Sequence, residues 1–303
     1  YYYAAQVAGE GKNPYIRRFL TEAAREEGTR LAVHPFFYPP PALLWVVWMP
    51  SVDLITAWRL WFWFDVLCGL VAVGALAVWW RPLGPAVGVS LAALVAALSA
   101  LPNNHVMGQI NLLVLVIVLL GLWAEERGRW GVGGVLLGLA CMTKMSPAVF
   151  VAWWILRWRW QAAATACLTA AALSVAALPL VGLDYQVDFY VRVLPAFGNG
   201  SYNGLAIPID LFGNHSLVDL FHRAFRGRRL GLSPIAQELA RISALGITLA
   251  IAAAFWWEPK DALQRAGQIA AVGVAALLIP VYTYEHHLVM AIPAVAVGAA
   301  GLA

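Results

Sequence analysis

Predominantly apolar runs of bilayer-crossing length follow one another along this chain, and they restrict its fold more than any other feature. A helix rises 1.5 Å per residue, so a hydrocarbon core about 30 Å thick takes roughly 20 residues to cross. Runs of this kind lie at 54–80, 85–101, 109–124, 161–180, 233–257, 266–282 and 287–303. A shorter pair lies at 130–143 and 146–157, separated by Lys144 to Pro147. Of the 303 residues, 62% are hydrophobic and only 12% are charged, more apolar surface than a water-soluble fold could bury. The chain is therefore predicted to be all-α, a polytopic integral membrane protein of about nine spans or half-spans. Buried spans are apolar all round, so periodicity adds little.

One transmembrane domain is expected over 1–303, with a first outer loop carrying interfacial helices at 1–53 and a long outer loop at 183–233. The apolar stretch Pro41 to Met49 is too short to span and is expected to lie in the interface. The chain starts at Tyr1 without Met and stops at Ala303 inside an apolar run, so it reads as a fragment cut at both ends. Tyr1 to Gly11 lacks the basic flank and apolar core of a cleavable signal. Cys68, Cys141 and Cys167 sit inside apolar runs without ligand-like spacing, which argues against a disulfide framework and a zinc site and for packing roles. The net charge of +4 comes from basic residues that membrane topology explains, and there is no nucleic-acid signal.

Those basic residues set the orientation. Arg81, then Arg127 and Arg129, then Arg157 and Arg159, then Lys260 and Arg265 occupy alternate short loops, which the positive-inside rule makes cytoplasmic. The parity holds if 130–157 goes out and comes back as two short helices turning at Thr143-Lys144-Met145-Ser146-Pro147. The alternative, a single Pro-kinked span, would leave Arg157 and Arg159 outside. With the hairpin, residues 1–53, Pro102 to Asn111, Thr143 to Ser146, Leu183 to Ser233 and Tyr282 to His287 all fall on the non-cytoplasmic side. The long loop there exceeds an ordinary connection, so function is expected on the outer face.

Several polar residues on that face suggest chemistry. Lys144 interrupts an apolar stretch, and a charge there normally has a cavity and a partner. A phosphate would serve, and snorkelling to headgroups is the bland alternative. His286 and His287 follow Tyr284-Glu285, where imidazoles could donate to a phosphate or move a proton. Metal binding is disfavoured, because adjacent helix positions point about 100° apart. Asn103-Asn104-His105 and Gly108-Gln109-Ile110-Asn111 gather hydrogen-bonding side chains at the mouth of the 109–124 run. Gln109 and Asn111 can satisfy a hydroxyl-rich ligand, whereas Asn103 and Asn104 read as helix-capping residues. Trp79-Trp80, Trp158 with Trp160, and Trp256-Trp257 adjoin cytoplasmic charges and read as a headgroup belt. Trp45 and Trp48 are the better positions for stacking on a sugar ring.

Taken in order, Tyr1-Tyr2-Tyr3-Ala4-Ala5, Gly11-Lys12-Asn13-Pro14-Tyr15, Tyr38-Pro39-Pro40, Gly108-Gln109-Ile110-Asn111-Leu112-Leu113, Gly138-Leu139-Ala140 through Lys144-Met145-Ser146-Pro147-Ala148, and His286-His287 resemble glycosyltransferase family 87. The resemblance covers nearly the whole chain. It implies a GT-C membrane fold and a polyprenyl-phosphate-sugar donor, as in the family's mannosyltransferases of glycolipid assembly. A lipid or glycan acceptor, a plasma-membrane location and an active face on the periplasmic or extracellular side are implied with it. On this resemblance Lys144, His286 and His287 hold the donor phosphate, His286 and His287 are catalytic, and Tyr38, His105, Gln109, Asn111, Asn214 and His215 bind substrate. Both Asn199-Gly200-Ser201-Tyr202-Asn203 with Gly204-Leu205 and Asn214-His215-Ser216-Leu217 look like the family's Asn-x-Ser-Leu region.

The general base of such enzymes is an acidic residue in the first outer loop, expected here upstream of Tyr1. Glu10, Glu22 and Glu285 are the carboxylates that could replace it. An inverting transfer would need one to take the acceptor hydroxyl's proton as the lipid phosphate leaves. A cation aimed at that phosphate stabilises the transition state more than the ground state. No metal or other cofactor is required, and no Asp-x-Asp motif is present. The competing function is a transporter or flippase of lipid-linked sugars, which would be expected to show internal repeats; none is visible.

Overall fold

The computed structural model describes residues 1–29, 33–198, 213–225, 233–280 and 282–302. The described residues are helical, with one isolated bridge between Asn214 and Tyr284. The first 53 residues fold as α1 (Tyr2–Gly9), the amphipathic α2 (Arg17–Glu26) and 3-10 turns at Pro40–Trp45 and Met49–Ser51. Asp53 then caps α3 (Leu54–Trp79), its side chain accepting from Thr56 N at 3.0 Å. At 26 residues α3 is roughly 39 Å long. It buries Ala57, Trp61, Asp65, Cys68, Ala72 and Leu76, one face of the helix, and exposes Leu60, Trp63, Leu67 and Leu70 on the other. A helix that is apolar on its exposed face as well is suited to lipid.

The next two helices, α4 (Pro85–Ala97) and α5 (Ala100–Val106), lead to α6 (Asn111–Glu126). α6 is buried on nearly every side and forms the axis of the bundle. Where a loop was expected from Pro102 to Asn111, the chain forms α5 and then bends 117° into α6. Gly108, at φ +60°, makes that bend, and its carbonyl accepts from Trp61 Nε1 at 2.9 Å.

Residues 130–157 adopt the hairpin. α7 (Trp130–Thr143) stops at Lys144, whose backbone is extended, and α8 (Ala148–Leu156) returns. Arg159 lies 4.4 Å over the ring of Trp130, so both ends of the hairpin meet at one end of the bundle. α7 packs closely on α9 (Trp160–Ala176), because Gly134 and Gly138 let the backbone of Ala162 and Ala166 approach where a side chain would not fit. Short helices α10 (Leu183–Asp188), α11 (Leu194–Gly198) and α12 (Leu217–Ala224) punctuate the 183–233 loop, joined in part by a π-helical turn at Phe189–Val193. α13 (Pro234–Ala254), α14 (Ala262–Leu278) and α15 (Ile292–Leu302) complete the bundle.

The basic loops gather at one end. Glu125 takes Arg265 at 3.1 Å and Arg159 at 3.5 Å, Arg159 also pairs with Glu258 at 2.9 Å, and Arg157 pairs with Glu258 and donates to Gln268 Oε1 at 2.9 Å. Trp158, Trp160, Trp256 and Trp257 stand exposed around this cluster, as a headgroup belt requires, whereas Trp80, read as part of the same belt, is buried in the core. Each predicted run contains a helix, several of them shorter than the run. Among the described residues α3 and α13 are long and apolar enough to cross a membrane, and α5 with α6 is a third if counted as one bent span. Cys68 and Cys141 are buried as expected of packing residues, while Cys167 is exposed on α9.

Candidate active site

At the end of the bundle opposite the basic cluster, four polar segments distant in sequence come together. Lys144, in the loop that ends α7, reaches the first residue of α6, and its Nζ donates to Asn111 Oδ1 at 2.5 Å. Asn111 is fully buried, and its Nδ2 donates to Asn104 Oδ1 at 2.9 Å and to the His286 carbonyl at 3.1 Å. One asparagine therefore joins Lys144 to the histidine pair. Burial lowers the Lys144 ammonium to about 7, so an anion that entered would raise it again.

The histidines occupy a 3-10 turn at Glu285–Ala291, with ring centroids 4.4 Å apart. His287 Nδ1 accepts from Tyr284 N at 3.2 Å, which fixes the proton of the neutral ring on Nε2. Burial, and then the charge of Lys144, push His286 down to about 4. Near neutral pH, His286 thus offers a neutral ring, and the positive charge beside it belongs to Lys144.

Glu285 accepts from Ser99 Oγ and from Asn103 Nδ2, the latter at 3.0 Å, and these bonds hold its carboxyl below the usual range. They tie the start of α5 to the histidine turn. Glu10 and Glu22 instead pair at the surface with Lys12 at 2.7 Å and Arg18 at 2.8 Å. On the other side of the α5–α6 bend, Tyr38 donates to Gln109 Oε1 at 2.7 Å, and Tyr15 donates to the Tyr38 carbonyl at 3.0 Å. Asn214 Oδ1 accepts from Thr283 N at 2.9 Å and His215 N donates to the Thr283 carbonyl at 2.7 Å, so this loop clamps the residues just before the histidines. The Asn199 to Leu205 stretch lies outside the described residues. Trp45 Nε1 donates to Thr143 Oγ1 at 2.9 Å, securing the end of α7 beside Lys144, and Trp48 is exposed.

Two assignments differ from the sequence reading. Asn103 and Asn104 do not cap α6, whose N-cap position is Ile110 without a side-chain bond. Asn103 binds Glu285, and Asn104 is fully buried with its Nδ2 at 2.8 Å from Asp65 Oδ2. Asp65 itself, 2% exposed, had no place in the sequence reading. The same oxygen lies 2.6 Å from His105 Nδ1. The signal was available: Asp65 falls on the face of α3 shared by Trp61 and Cys68, and an acid within an apolar run faces the protein interior.

Below Lys144 an apolar cleft runs along α6, lined among others by Leu115, Leu119, Phe150, Gly273 and Met290, with Ser146 and Pro147 near its polar end. Among the described residues no three His, Cys, Asp or Glu side chains stand together as a metal site would need.

This helical membrane bundle, with a lysine, two histidines and amides drawn together at one end, belongs to glycosyltransferase family 87, whose model matches residues 36–282. It is 28% identical over 265 residues to the polyprenol-phosphate-mannose-dependent alpha-(1-2)-phosphatidylinositol pentamannoside mannosyltransferase of Mycobacterium tuberculosis, covering 86% of this chain and 57% of that protein. It is 30% identical over 186 residues to the protein of the same description from Mycolicibacterium smegmatis, covering 61% and 42%. It is also 26% identical over 289 residues to the polyprenol-phosphate-mannose-dependent alpha-(1-2)-phosphatidylinositol mannoside mannosyltransferase of Mycolicibacterium smegmatis, covering 88% and 62%. The chain thus spans about half the length of the curated relatives it matches. No solved structure matches it.

Proposed function

We propose that this chain carries the donor side of a membrane glycosyltransferase that moves a sugar, mannose by the names of its relatives, from a polyprenyl phosphate to a lipid or glycan acceptor. The observation that supports this most is the hydrogen-bonded chain from Lys144 through Asn111 to His286, which brings three loops to one point. By the positive-inside rule the basic cluster is cytoplasmic, so the Lys144 end faces the periplasm or the extracellular side of the plasma membrane. The relatives' names give alpha-(1-2) mannosyl transfer to phosphatidylinositol mannosides, and a phosphoinositol glycolipid is the acceptor class we favour.

In this reading the acceptor oxygen attacks the anomeric carbon, the bond from that carbon to the phosphate oxygen breaks, and the electron pair leaves with the lipid phosphate. Charge grows on the phosphate as it departs. Lys144 meets that charge, and the neutral N–H groups of His286 and His287 donate to the remaining oxygens. The proton of the acceptor goes to a carboxylate expected upstream of Tyr1. Tyr38 with Gln109, His105, and the Asn214-His215 loop line the approach of the sugar and acceptor. The apolar cleft beside Ser146 and Pro147 suits the polyprenyl chain, which would replace lipid contacts by protein ones.

The test is Lys144→Ala in the full-length protein, assayed in membranes with a polyprenyl-phosphate mannose donor. Turnover is expected to fall by at least ~100-fold, from roughly 3 kcal/mol of transition-state stabilisation by one charged donor. Lys144→Arg should recover only part, since a planar fork replaces a compact ammonium. Near-normal turnover of Lys144→Ala would mean that the lysine only snorkels, and the phosphate would have to be sought elsewhere.

A further inference from the structure

The mechanism above makes no use of Asp65, a buried acid at the polar end of the hydrogen-bonded chain. Asp65 sits midway along α3, inside the bundle, 39 residues from its partner Asn104 in sequence. An ionised carboxylate only accepts hydrogen bonds and an ammonium only donates them, whereas a carboxamide has one end of each kind. Those constraints fix the polarity of everything between Asp65 and Lys144.

Asp65 Oδ2 accepts from Asn104 Nδ2 at 2.8 Å and lies 2.6 Å from His105 Nδ1, which is the donor to an ionised carboxylate. With its NH2 end committed, Asn104 turns its Oδ1 the other way, where it accepts from Asn111 Nδ2 at 2.9 Å. Asn111 in turn has its NH2 end committed to Asn104 and to the His286 carbonyl, so its Oδ1 faces Lys144 Nζ at 2.5 Å. Flipping either amide would set donor against donor at one contact and acceptor against acceptor at the other. Both asparagines are fully buried, so water cannot make good such a mismatch.

We infer that Asp65 is a positioning residue for Lys144, holding the ammonium in place through the oriented amides of Asn104 and Asn111. The inference rests on the reading of Lys144 as the donor-phosphate ligand. Removing the carboxylate frees Asn104 to rotate, Asn111 loses one of the two bonds that orient its amide, and the anchor point of the ammonium shifts with it. His105 is assigned a corresponding part: its Nδ1–H stabilises the carboxylate.

The experiment is a double-mutant cycle on the full-length protein in membranes, with a polyprenyl-phosphate mannose donor and folded protein quantified by size-exclusion in detergent. Asp65→Leu alone should lower turnover about 10-fold, the scale expected when a catalytic group is misplaced by a fraction of an ångström, and it should leave the acceptor KM unchanged. In the Lys144→Ala background the same substitution should change the residual turnover less than about twofold, because the group it positions is gone. Asn104→Ala breaks the relay one link on and leaves the Asp65–His105 pair intact; it should show the same masking, and it carries the test if Asp65→Leu does not fold. Equal fold losses from Asp65→Leu or Asn104→Ala with and without Lys144 would overturn the relay while leaving the phosphate reading standing. Unchanged turnover of Asn104→Ala would do the same. Normal turnover of Lys144→Ala would sink the phosphate reading itself and the relay with it.

Discussion

Gly138→Ala should impair the site without touching any residue in it. Gly138 faces α9, and a Cβ there would stand 2.5 Å from the Ala166 carbonyl oxygen and 2.7 Å from Thr169 Cβ. Real Cβ atoms essentially never come nearer than 3.0 Å to a neighbour, so α7 and α9 must separate by about half an ångström, and overpacking of this kind costs roughly 1–3 kcal/mol. Replacing a helical glycine by alanine gains about 1 kcal/mol of helix propensity, which offsets part of that. The expected net is a loss of roughly 1 kcal/mol, or a few degrees of melting temperature in detergent. The larger effect is on activity. Thr143 ends α7 five residues beyond Gly138, roughly 7.5 Å along the axis, so the displacement passes almost undiminished to Lys144 and its 2.5 Å contact with Asn111. A misplacement of 1 Å can cost about 100-fold, so half of that predicts about a 10-fold loss of turnover. Gly131→Ala on the same helix is the control, because nothing lies within 4 Å of its added Cβ. The reasoning fails if Gly138→Ala melts and turns over like Gly131→Ala.

Two further outcomes are expected. Arg157→Met removes the bonds to Trp257 O at 3.1 Å and Gln268 Oε1 at 2.9 Å, worth about 2 kcal/mol from a charged donor, with its ion pair to Glu258 discounted because that side chain is 61% exposed; thermal melting should fall by several degrees while the donor KM stays unchanged, and a shifted donor KM would contradict the separation of the two ends. Lys144, lowered to about 7 by burial, is protonated below that pH and loses its charge above it, so binding of polyprenyl phosphate to the unliganded protein should weaken by up to about tenfold per pH unit above 7; Lys144→Arg, which stays charged, should abolish the slope, and a slope that survives in Lys144→Arg would show that another group titrates.

The parts of the fold visible in the sequence are those that the bilayer dictates. Run length locates the helices, and the charges at Arg157 and Arg159 select the hairpin over a kinked span, as the contact of Arg159 with Trp130 bears out. The gathering of Lys144, Asn111 and His286 was legible because polar residues are rare enough here that their shared side of the membrane is informative. Asp65 was passed over: on a helix that is apolar both toward the core and toward lipid, the pattern of hydrophobic residues does not reveal which face is buried, and the lone acid was the one signal that did. Asn104 was misjudged because polar residues beside Pro102 and Gly108 resemble a cap, and only the 117° bend of the short α5 turns Asn104 inward, toward α3. The direction of each amide was beyond reach altogether, since it follows from which charge lies at each end of the chain.

The two ends of the bundle handle charge differently, and the difference bears on what each is for. At the basic end, Arg265 meets Glu125 and Glu126 directly and Arg157 and Arg159 share Glu258, so three arginines face three glutamates in place and brace α6, α9 and α14. At the polar end the opposite charges of Lys144 and Asp65 are kept apart by two neutral amides. A direct lysine–aspartate pair would have compensated both groups more cheaply, but it would have neutralised the ammonium and shifted its field away from any ligand. With the amides between them, Lys144 commits one of its three donors to a neutral oxygen, and while it is protonated its charge is left for a ligand. That separation is what the proposed reading of Lys144 as the donor-phosphate ligand calls for, since such a site must accept and release an anion.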